Sequence, residues 1–244
     1  METRSRGRAA ILWVARTGCT LAVAGLAMEL ISGPGYRLGW WGLTGALVYL
    51  FALGGIVAGL GCAISIVGFT VARALRTPGV VAGGAGAILG LVPALLFYHQ
   101  FSVARSHPSI NDVSTDLEDP PAFVAAASNA FAFADAVRRG YPDLGPLVVA
   151  DSPARTFALV RATAAAQRDW VTTAVDSATG RLEATATTRW FGFKDDVVIR
   201  VRGHGPDSAV VDMRSKSRVG KGDVGVNAAR IRKYFAALQR AASR

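Results

Sequence analysis

Charged residues are almost absent from a long stretch near the start of the chain. Between residues 10 and 104 the charged side chains are Arg16, Glu29, Arg37, Arg73 and Arg76. The runs 38–72 and 77–104 contain no Asp, Glu, Lys or Arg. Each run exceeds the roughly 20 residues that a helix needs to cross the hydrocarbon core of a bilayer. The pattern therefore predicts a transmembrane domain at residues 1–104.

Three spanning helices are expected in this domain, at about 10–32, 41–72 and 79–101. The Ser32–Gly35 sequence predicts a turn after the first helix, with Glu29 close by at the membrane interface. A buried proton or ion site at Glu29 is the alternative. A cleaved signal peptide is a second interpretation of the first helix. Recurring glycines predict close packing of helices, either within the domain or between two copies of the chain.

The arginines next to the predicted helices give an orientation. They cluster before the first helix and between the second and third: Arg4, Arg6, Arg8, Arg73 and Arg76. The remaining loop carries only Arg37. Because positive charge is enriched on the cytoplasmic side of membrane proteins, the N-terminus and the Arg73 loop are expected inside. Three crossings of the cytoplasmic (inner) membrane then place residues 105–244 outside.

The second part of the chain, residues 105–244, has the alternating and helical patterns of a small α+β domain. A helix is expected after Ser152 and Pro153, and another from near Asp223 with an apolar stripe that includes Phe235. Four antiparallel strands are expected at 170–176, 181–191, 197–202 and 208–215. The predicted fold is a four-stranded antiparallel sheet with helices packed on one face.

Strand alternation predicts a polar face on the other side of this sheet. Its members are Arg189, Arg200, Asp212 and Arg214, together with Glu183. A solvated face with ion pairs between strands is one interpretation, and a surface for an acidic partner, a lipid headgroup or an envelope polymer is the other. The adjacent Asp195 and Asp196 are expected in a turn or beside arginines, because side chains of neighbouring strand residues diverge.

The segment Gly220–Gly225 matches the Gly-x-Gly-x-x-Gly pattern of dinucleotide-binding loops. Too few residues follow it for the second strand and the ribose-binding acid, so nucleotide binding is not expected. A simpler prediction is an anion site at the start of the last helix, formed by Arg218, Lys221, Gly222 and Gly225. The alternative is that Asp223 caps the helix amides.

Three stretches of the second domain resemble a known family. They are Asn111–Asp116 with Pro120–Phe123, then Thr188–Asp196, and finally VDMRSKSRVGKGDVGVNAARIRKY from Val211 to Tyr234. In combination they are similar to the domain of unknown function 1499 of bacteria and plastids, over about residues 106–238. The resemblance implies an envelope or lumenal protein with hydrophobic segments before the domain, and it implies no reaction.

No constellation of catalytic residues is visible. The three histidines lie far apart, and no metal-ligand spacing or nucleophile motif is present, so no catalytic residue, metal or cofactor is assigned. A membrane protein that displays a binding or assembly module is expected, and an envelope enzyme acting on an anionic substrate is the alternative. Expected partners are the bilayer, an anionic lipid or envelope polymer, and a larger membrane complex or a second copy. Nucleic acid is excluded by the predicted side of the membrane.

Overall fold

The computed structural model describes residues 2–126, 130–205 and 207–243, with side chains from Ser5 onward. The chain divides into two compact units, Met1–Val103 and Ala104–Arg244.

The first unit consists of three helices that are long and apolar enough to cross a membrane. Helix α1 covers Glu2–Arg37, and α3 covers Val80–Ser106. Between them, a π-helical segment at Gly45–Ala52 continues directly into α2 at Leu53–Ala74. The three predicted membrane helices are therefore present, and each extends beyond at least one of its expected ends.

The turn expected at Ser32–Gly35 is wrong, because α1 continues through Pro34 to Arg37. The indole of Trp41 folds back against this last turn, where its Nε1 donates to the carbonyl of Ser32 at 2.9 Å. Glu29 lies inside the helical unit, where it is 5 % exposed, rather than on its surface. Its Oε1 has no hydrogen-bond partner in the part of the chain that the structure describes.

Small residues allow the helix backbones to approach closely. A Cβ on Gly61 of α2 would lie 2.3 Å from the backbone nitrogen of Ala22 in α1. A Cβ on Gly90 of α3 would lie 2.5 Å from the carbonyl oxygen of Ala58. Real Cβ atoms do not come this close, so these glycines are used for packing within the unit.

The second unit is built on a six-stranded antiparallel sheet in which β1, β6, β5, β4 and β3 follow one another and β2 also pairs with β6. The strands are β1 (Asp112–Ser114), β2 (Leu147–Val149), β3 (Trp170–Asp176), β4 (Arg181–Thr187), β5 (Lys194–Gly203) and β6 (Ala209–Ser217). The predicted antiparallel α+β class is confirmed, but the expected count of four strands is too low. The two missing strands have three residues each, too few for a recognisable alternation.

Three helices accompany the sheet: α4 (Ala134–Gly140), α5 (Pro153–Ala165) and α6 (Val226–Ala242). Helix α5 begins as predicted, with the Ser152 side chain accepting from the N–H of Arg155. Helices α5 and α6 pack against the sheet, and the phenol of Tyr234 in α6 donates to the carbonyl of Val160 in α5 at 2.8 Å. The apolar core of the domain lies between these helices and the sheet.

Two expectations need correction: which residues of α6 face the core, and where β4 ends. Tyr234, at 1 % exposure, occupies the central core position of α6, while Phe235 packs against the edge of the core. Strand β4 ends at Thr187, so Arg189 and Trp190 lie in the tight turn before β5 and not on the sheet. The turn is closed by the N–H of Thr188, which donates to the carbonyl of Phe193 at 2.9 Å.

Candidate functional site

Much of the polar face of the sheet is covered by protein, which differs from the solvated face that is one of its two expected interpretations. After β1 the chain crosses this face as an irregular stretch, residues 115–126, which we call the cover segment. Its start is fixed to β6, because the N–H of Met213 donates to the Thr115 hydroxyl at 2.9 Å. Beneath it, Asp212 and Arg214 are 0 % and 3 % exposed.

Two arginines of β5 connect the sheet to the cover segment. Arg200 Nη2 lies 3.2 Å from Asp212 Oδ2 and 3.1 Å from Asp116 Oδ2. Arg202 Nη2 contacts the same two carboxylate oxygens at 2.8 Å each. Asp119 completes the cluster by accepting from Arg200 Nη1 at 2.8 Å. We refer to these five residues as the Arg/Asp cluster, and two positive charges there face three negative ones.

Two opposing effects act on the pKa of Asp116. Burial on its own would raise the pKa of this carboxyl group, but the backbone N–H groups of Asp119 and Glu118 donate to it, and Arg202 lies beside it. Together they hold the pKa of Asp116 below its usual value. A carboxylate stabilised in this way is a poor general acid or base near neutral pH.

One carboxylate oxygen of the Arg/Asp cluster, in Asp212, differs from the others in its hydrogen bonding. Asp212 Oδ1 is buried and has no hydrogen-bond partner in the described ranges 2–126, 130–205 and 207–243. The other oxygen of the same carboxylate accepts from both Arg200 and Arg202.

A further arginine, Arg214, lies under the middle of the cover segment, where it donates to the carbonyl of Pro121 at 3.4 Å. The guanidinium of Arg214 binds both oxygens of Asp112 in β1, at 2.9 and 2.7 Å. The rings of Phe123 and Phe131 lie 5.1 and 5.3 Å from its central carbon. A shallow cavity of about 350 Å³ opens beside this pair, and its lining combines apolar residues such as Leu117 and Phe131 with the charged Glu118 and Arg214.

The cover segment also binds the carboxylate of Glu183. The backbone N–H groups of Val124, Ala125 and Ala126 donate to this side chain at 2.7, 2.9 and 3.2 Å. Glu183 is 1 % exposed, and Arg181 lies 3.8 Å away on the same strand. The expected water-facing position of Glu183 is therefore a buried anchor point for the cover segment.

The two aspartates at the start of β5 point to opposite faces, and each meets an arginine. Asp195 pairs with Arg230 of α6 on the helix side of the sheet. Asp196 accepts from Arg218 Nη2 at 2.6 Å on the other side. This confirms the expectation of arginine partners and leaves no acid pair facing a common space.

Comparison with known proteins gives one informative match. A family model described as "Protein of unknown function (DUF1499)" matches residues 112–238, which is more than half of the chain. The chain belongs to this family. No curated protein matches the chain. The DUF1499 match also confirms the resemblance drawn from the three sequence stretches.

A solved structure with partial similarity is the crystal structure of the di-domain ARO/CYC BexL from the BE-7585A biosynthetic pathway. It shares 14 % identity, with 40 % of this chain and 45 % of that one covered, at a TM-score of 0.32. The chain thus spans less than half of that protein's length. Similarity at this level supports no argument about the DUF1499 protein.

The stretches that characterise the DUF1499 domain in this chain are largely bound to one another. Asp112 of the first stretch pairs with Arg214 of the third, and Asp196 of the second pairs with Arg218. Within the third stretch, the Ser215 hydroxyl donates to Asn227 of α6 at 2.7 Å. These polar residues therefore hold the strands, the cover segment and α6 together.

The residues of the predicted anion site lie near one another, and two of them, Arg218 and Gly225, have partners within the protein. Arg218 is bound to Asp196, and the N–H groups of Gly225 and Asn227 donate to the Asp223 carboxylate at 2.9 and 2.7 Å. Gly225 adopts φ +82°, and the ring of His107 occupies the space where a Cβ would stand. Lys221 and Gly222 are exposed in the same loop. Anion binding there stays a prediction.

Sequence reasoning missed a group of aromatic residues at one end of the sheet, in which Trp190 is exposed and Phe191 and Phe193 are half-buried. Trp190 is 47 % exposed in the β4–β5 loop, and the rings of Phe191 and Phe193 stack at 4.9 Å between centroids. The signal was present as three aromatics among four residues around Gly192, followed by Lys194. The predicted strand over 181–191 places Trp190 and Phe191 in a strand and leaves Phe193 outside it, so the three do not stand out as one group.

Proposed function

We propose that this DUF1499 protein is an integral membrane protein that displays its second unit outside the cytoplasm as a non-catalytic binding or assembly module. Three membrane-capable helices precede the domain. The arginines at the N-terminus and at positions 73 and 76 favour the cytoplasm for the ends that they flank. An odd number of crossings then supports the outside placement of the domain.

The observation that carries the non-catalytic part is the covered sheet face. A candidate active site needs an open space in which acidic, basic or nucleophilic groups converge. The Arg/Asp cluster, the Asp112–Arg214 pair and the Glu183 anchor instead bind one another and lie under or within the cover segment. The lowered pKa of Asp116 supports the same interpretation.

The second candidate is an envelope enzyme acting on an anionic substrate through the Arg/Asp cluster. The observation in its favour is the unpartnered Oδ1 of Asp212. An enzymatic role requires that the cover segment moves away from the Arg/Asp cluster, so that a substrate can reach this oxygen. Asp212→Asn would then abolish activity in any substrate screen in which the wild-type protein is active.

Reporter fusions test the placement of the domain. Alkaline phosphatase joined after Leu238 should be active, because this enzyme matures only outside the cytoplasm, while a cytoplasmic reporter at the same position should be silent. Fusions after Arg76 are the matched control and should give the opposite pattern. A silent phosphatase and an active cytoplasmic reporter after Leu238 would contradict the proposal.

A further inference from the structure

We infer that the β4–β5 loop (residues 188–193) and the β6–α6 loop (residues 218–225) together contact the surface of an anionic lipid bilayer. We call these two loops the basic-aromatic end. The inference deepens the proposed function, since it names the partner that the membrane-anchored domain meets.

The two loops are neighbours at one end of the sheet. The N–H of Arg218 donates to the carbonyl of Lys194 at 3.1 Å, which joins the end of β6 to the start of β5. Exposed apolar side chains project from both loops: Trp190 is 47 %, Val219 37 % and Val224 40 % exposed. Folded domains seldom expose a cluster of large apolar residues on adjoining loops without a binding partner.

The exposed charges at this end are mainly positive. Arg189, Lys194 and Lys221 are exposed, whereas the nearby carboxylates are buried in contacts with the protein: Asp195, Asp196 and Asp223. An exposed acid, Asp169, lies at the same end and is preceded by the exposed Arg168. The surface that remains combines the exposed Trp190 ring and two valines with cations, which complements a layer of lipid phosphates.

The chain enters the domain at this same end. Residues 107–111 follow α3 directly and pack against the β6–α6 loop. The side chain of Asn111 donates to the carbonyl of Gly220 at 2.7 Å, and the N–H of Asp223 donates to the carbonyl of Ile110 at 2.9 Å. Because these residues join the domain to a membrane-capable helix in the chain, the domain meets lipid headgroups at high effective concentration.

The chemistry of the exposed side chains selects a bilayer as the partner. Tryptophan has an apolar body and a polar N–H, so it concentrates at the membrane interface, where both are accommodated. Lysine and arginine beside it add attraction to anionic headgroups. A protein partner would favour a broad, complementary surface, whereas the basic-aromatic end consists of two short loops.

Site-specific labelling of the full chain tests this inference. The native cysteines are removed by Cys19→Ala and Cys62→Ser, and a new cysteine, Val219→Cys, is labelled with an environment-sensitive fluorophore. Labelling at this position keeps Trp190 unchanged. The matched position is Ala178→Cys, which is exposed in the β3–β4 turn at the other end of the sheet. The protein is reconstituted in vesicles of phosphatidylcholine mixed with phosphatidylglycerol, and lipids with brominated chains serve as quenchers.

We expect quenching to be several-fold stronger at position 219 than at position 178. Adding Trp190→Ser or Lys221→Glu should lower quenching at position 219, whereas Val171→Ser, which removes an exposed valine of β3, should not change it. Pure phosphatidylcholine should weaken the contact. Equal quenching at both positions, or no response to either loop substitution in protease-resistant protein, would overturn the inference.

The two proposals fail in different ways. Quenching depends on distance from lipid and is the same on either side of the membrane, whereas the fusions after Leu238 depend only on the side. Contact at position 219 with a silent phosphatase would refute the outside placement and keep the lipid contact. An active phosphatase without contact would do the reverse.

Discussion

Asp112 and Arg214 are both nearly excluded from water, and each side chain is 3 % exposed. Burial of two charges costs more than a neutral pair would, and the two hydrogen bonds between them offset that cost only while both are present. The aromatic rings on the guanidinium add further contacts. The stability of this part of the domain therefore depends on a complete pair.

Removing one member of the pair should be more harmful than removing both. Asp112→Leu or Arg214→Met alone should destabilise the domain by about 3–5 kcal/mol, since each leaves a buried charge unpaired. The double variant should recover much of that loss. Urea titration of the detergent-solubilised protein, read by proteolysis of the domain, measures all three variants. Additive losses in the double variant would contradict the coupling.

Asp116 should contribute a pH-dependent part of the stability. Its pKa in the folded protein lies below that of the unfolded chain, so the contribution is complete above the unfolded value of about 4 and is lost as the pH falls towards the folded value. The gap in urea midpoint between wild type and Asp116→Asn should shrink as the pH decreases below about 4.

The control for this experiment is Asp135→Asn. Asp135 pairs with Arg138 at the surface, and its side chain is 75 % exposed. Exposed pairs contribute little, so the urea midpoint of this variant should follow that of the wild type at every pH. A gap for Asp116→Asn that stays constant between neutral and acidic pH would show that its carboxylate is not stabilised by the cluster.

At the scale of single elements, the rotation of α6 about its axis decides which of its aromatic side chains is buried in the core. Tyr234 stacks on Trp170 with 5.2 Å between ring centroids, and its hydroxyl reaches α5. Phe235 is the next residue but lies at the edge of the core. Two aromatic neighbours of similar size therefore occupy sites of different packing.

Tyr234→Ala should cost about 3–5 kcal/mol, the usual loss for a fully buried aromatic ring. Phe235→Ala should cost about half as much, because part of its surface already contacts solvent. Urea midpoints of the two variants, measured side by side, provide the comparison. If Phe235→Ala lost as much stability as Tyr234→Ala, or more, Phe235 would be the more deeply buried of the two rings.

Two glycines of α2 allow a matched test of helix packing in the first unit. Gly61→Ala should destabilise the unit by about 1–3 kcal/mol, because a new Cβ meets the backbone of α1. Gly59→Ala, also in α2, should be tolerated, since its Cβ would lie 3.5 Å from Ala94. Thermal melting in detergent compares the two. Equal melting temperatures would exclude the close α1–α2 approach.

The periodic elements could be predicted from the sequence because their signals are local. Alternation located β3 to its residue bounds, and Ser152 with Pro153 located the start of α5. Strands β1 and β2 exist only because β6 pairs with them, and the cover segment is ordered by contacts with distant residues. Local patterns contain no trace of such contacts.

The candidate site was harder to predict for the same reason. Starting β5 at Val197 left Asp195 and Asp196 outside the strand, whereas the observed start at Lys194 turns each towards an arginine. Arg218 is the partner of Asp196, and Arg230 is the partner of Asp195. An error of three residues at one strand end therefore hid which arginine each aspartate binds.

For the whole molecule, we expect residues 104–244 to fold without the helices. The domain has its own apolar core between the sheet and the helices α5 and α6, and a chain of about 140 residues can bury enough surface to be stable. The isolated domain should melt in one cooperative transition, followed by circular dichroism. A soluble domain without such a transition would mean that the first unit completes its core.

The pairing of Asp112 with Arg214 also determines when the domain can finish folding during synthesis. The two residues are 102 positions apart in the chain. At roughly 5–20 residues per second, the ribosome makes the arginine about 5–20 s after the aspartate. Strand β1 waits equally long for β6, because Val113 pairs with Ser215, whereas β2 waits for a shorter time, because Leu147 pairs with Val211. The β1–β6 part of the nascent domain therefore stays unpaired until the chain is almost complete, which is the state that export of the domain, as proposed here, requires.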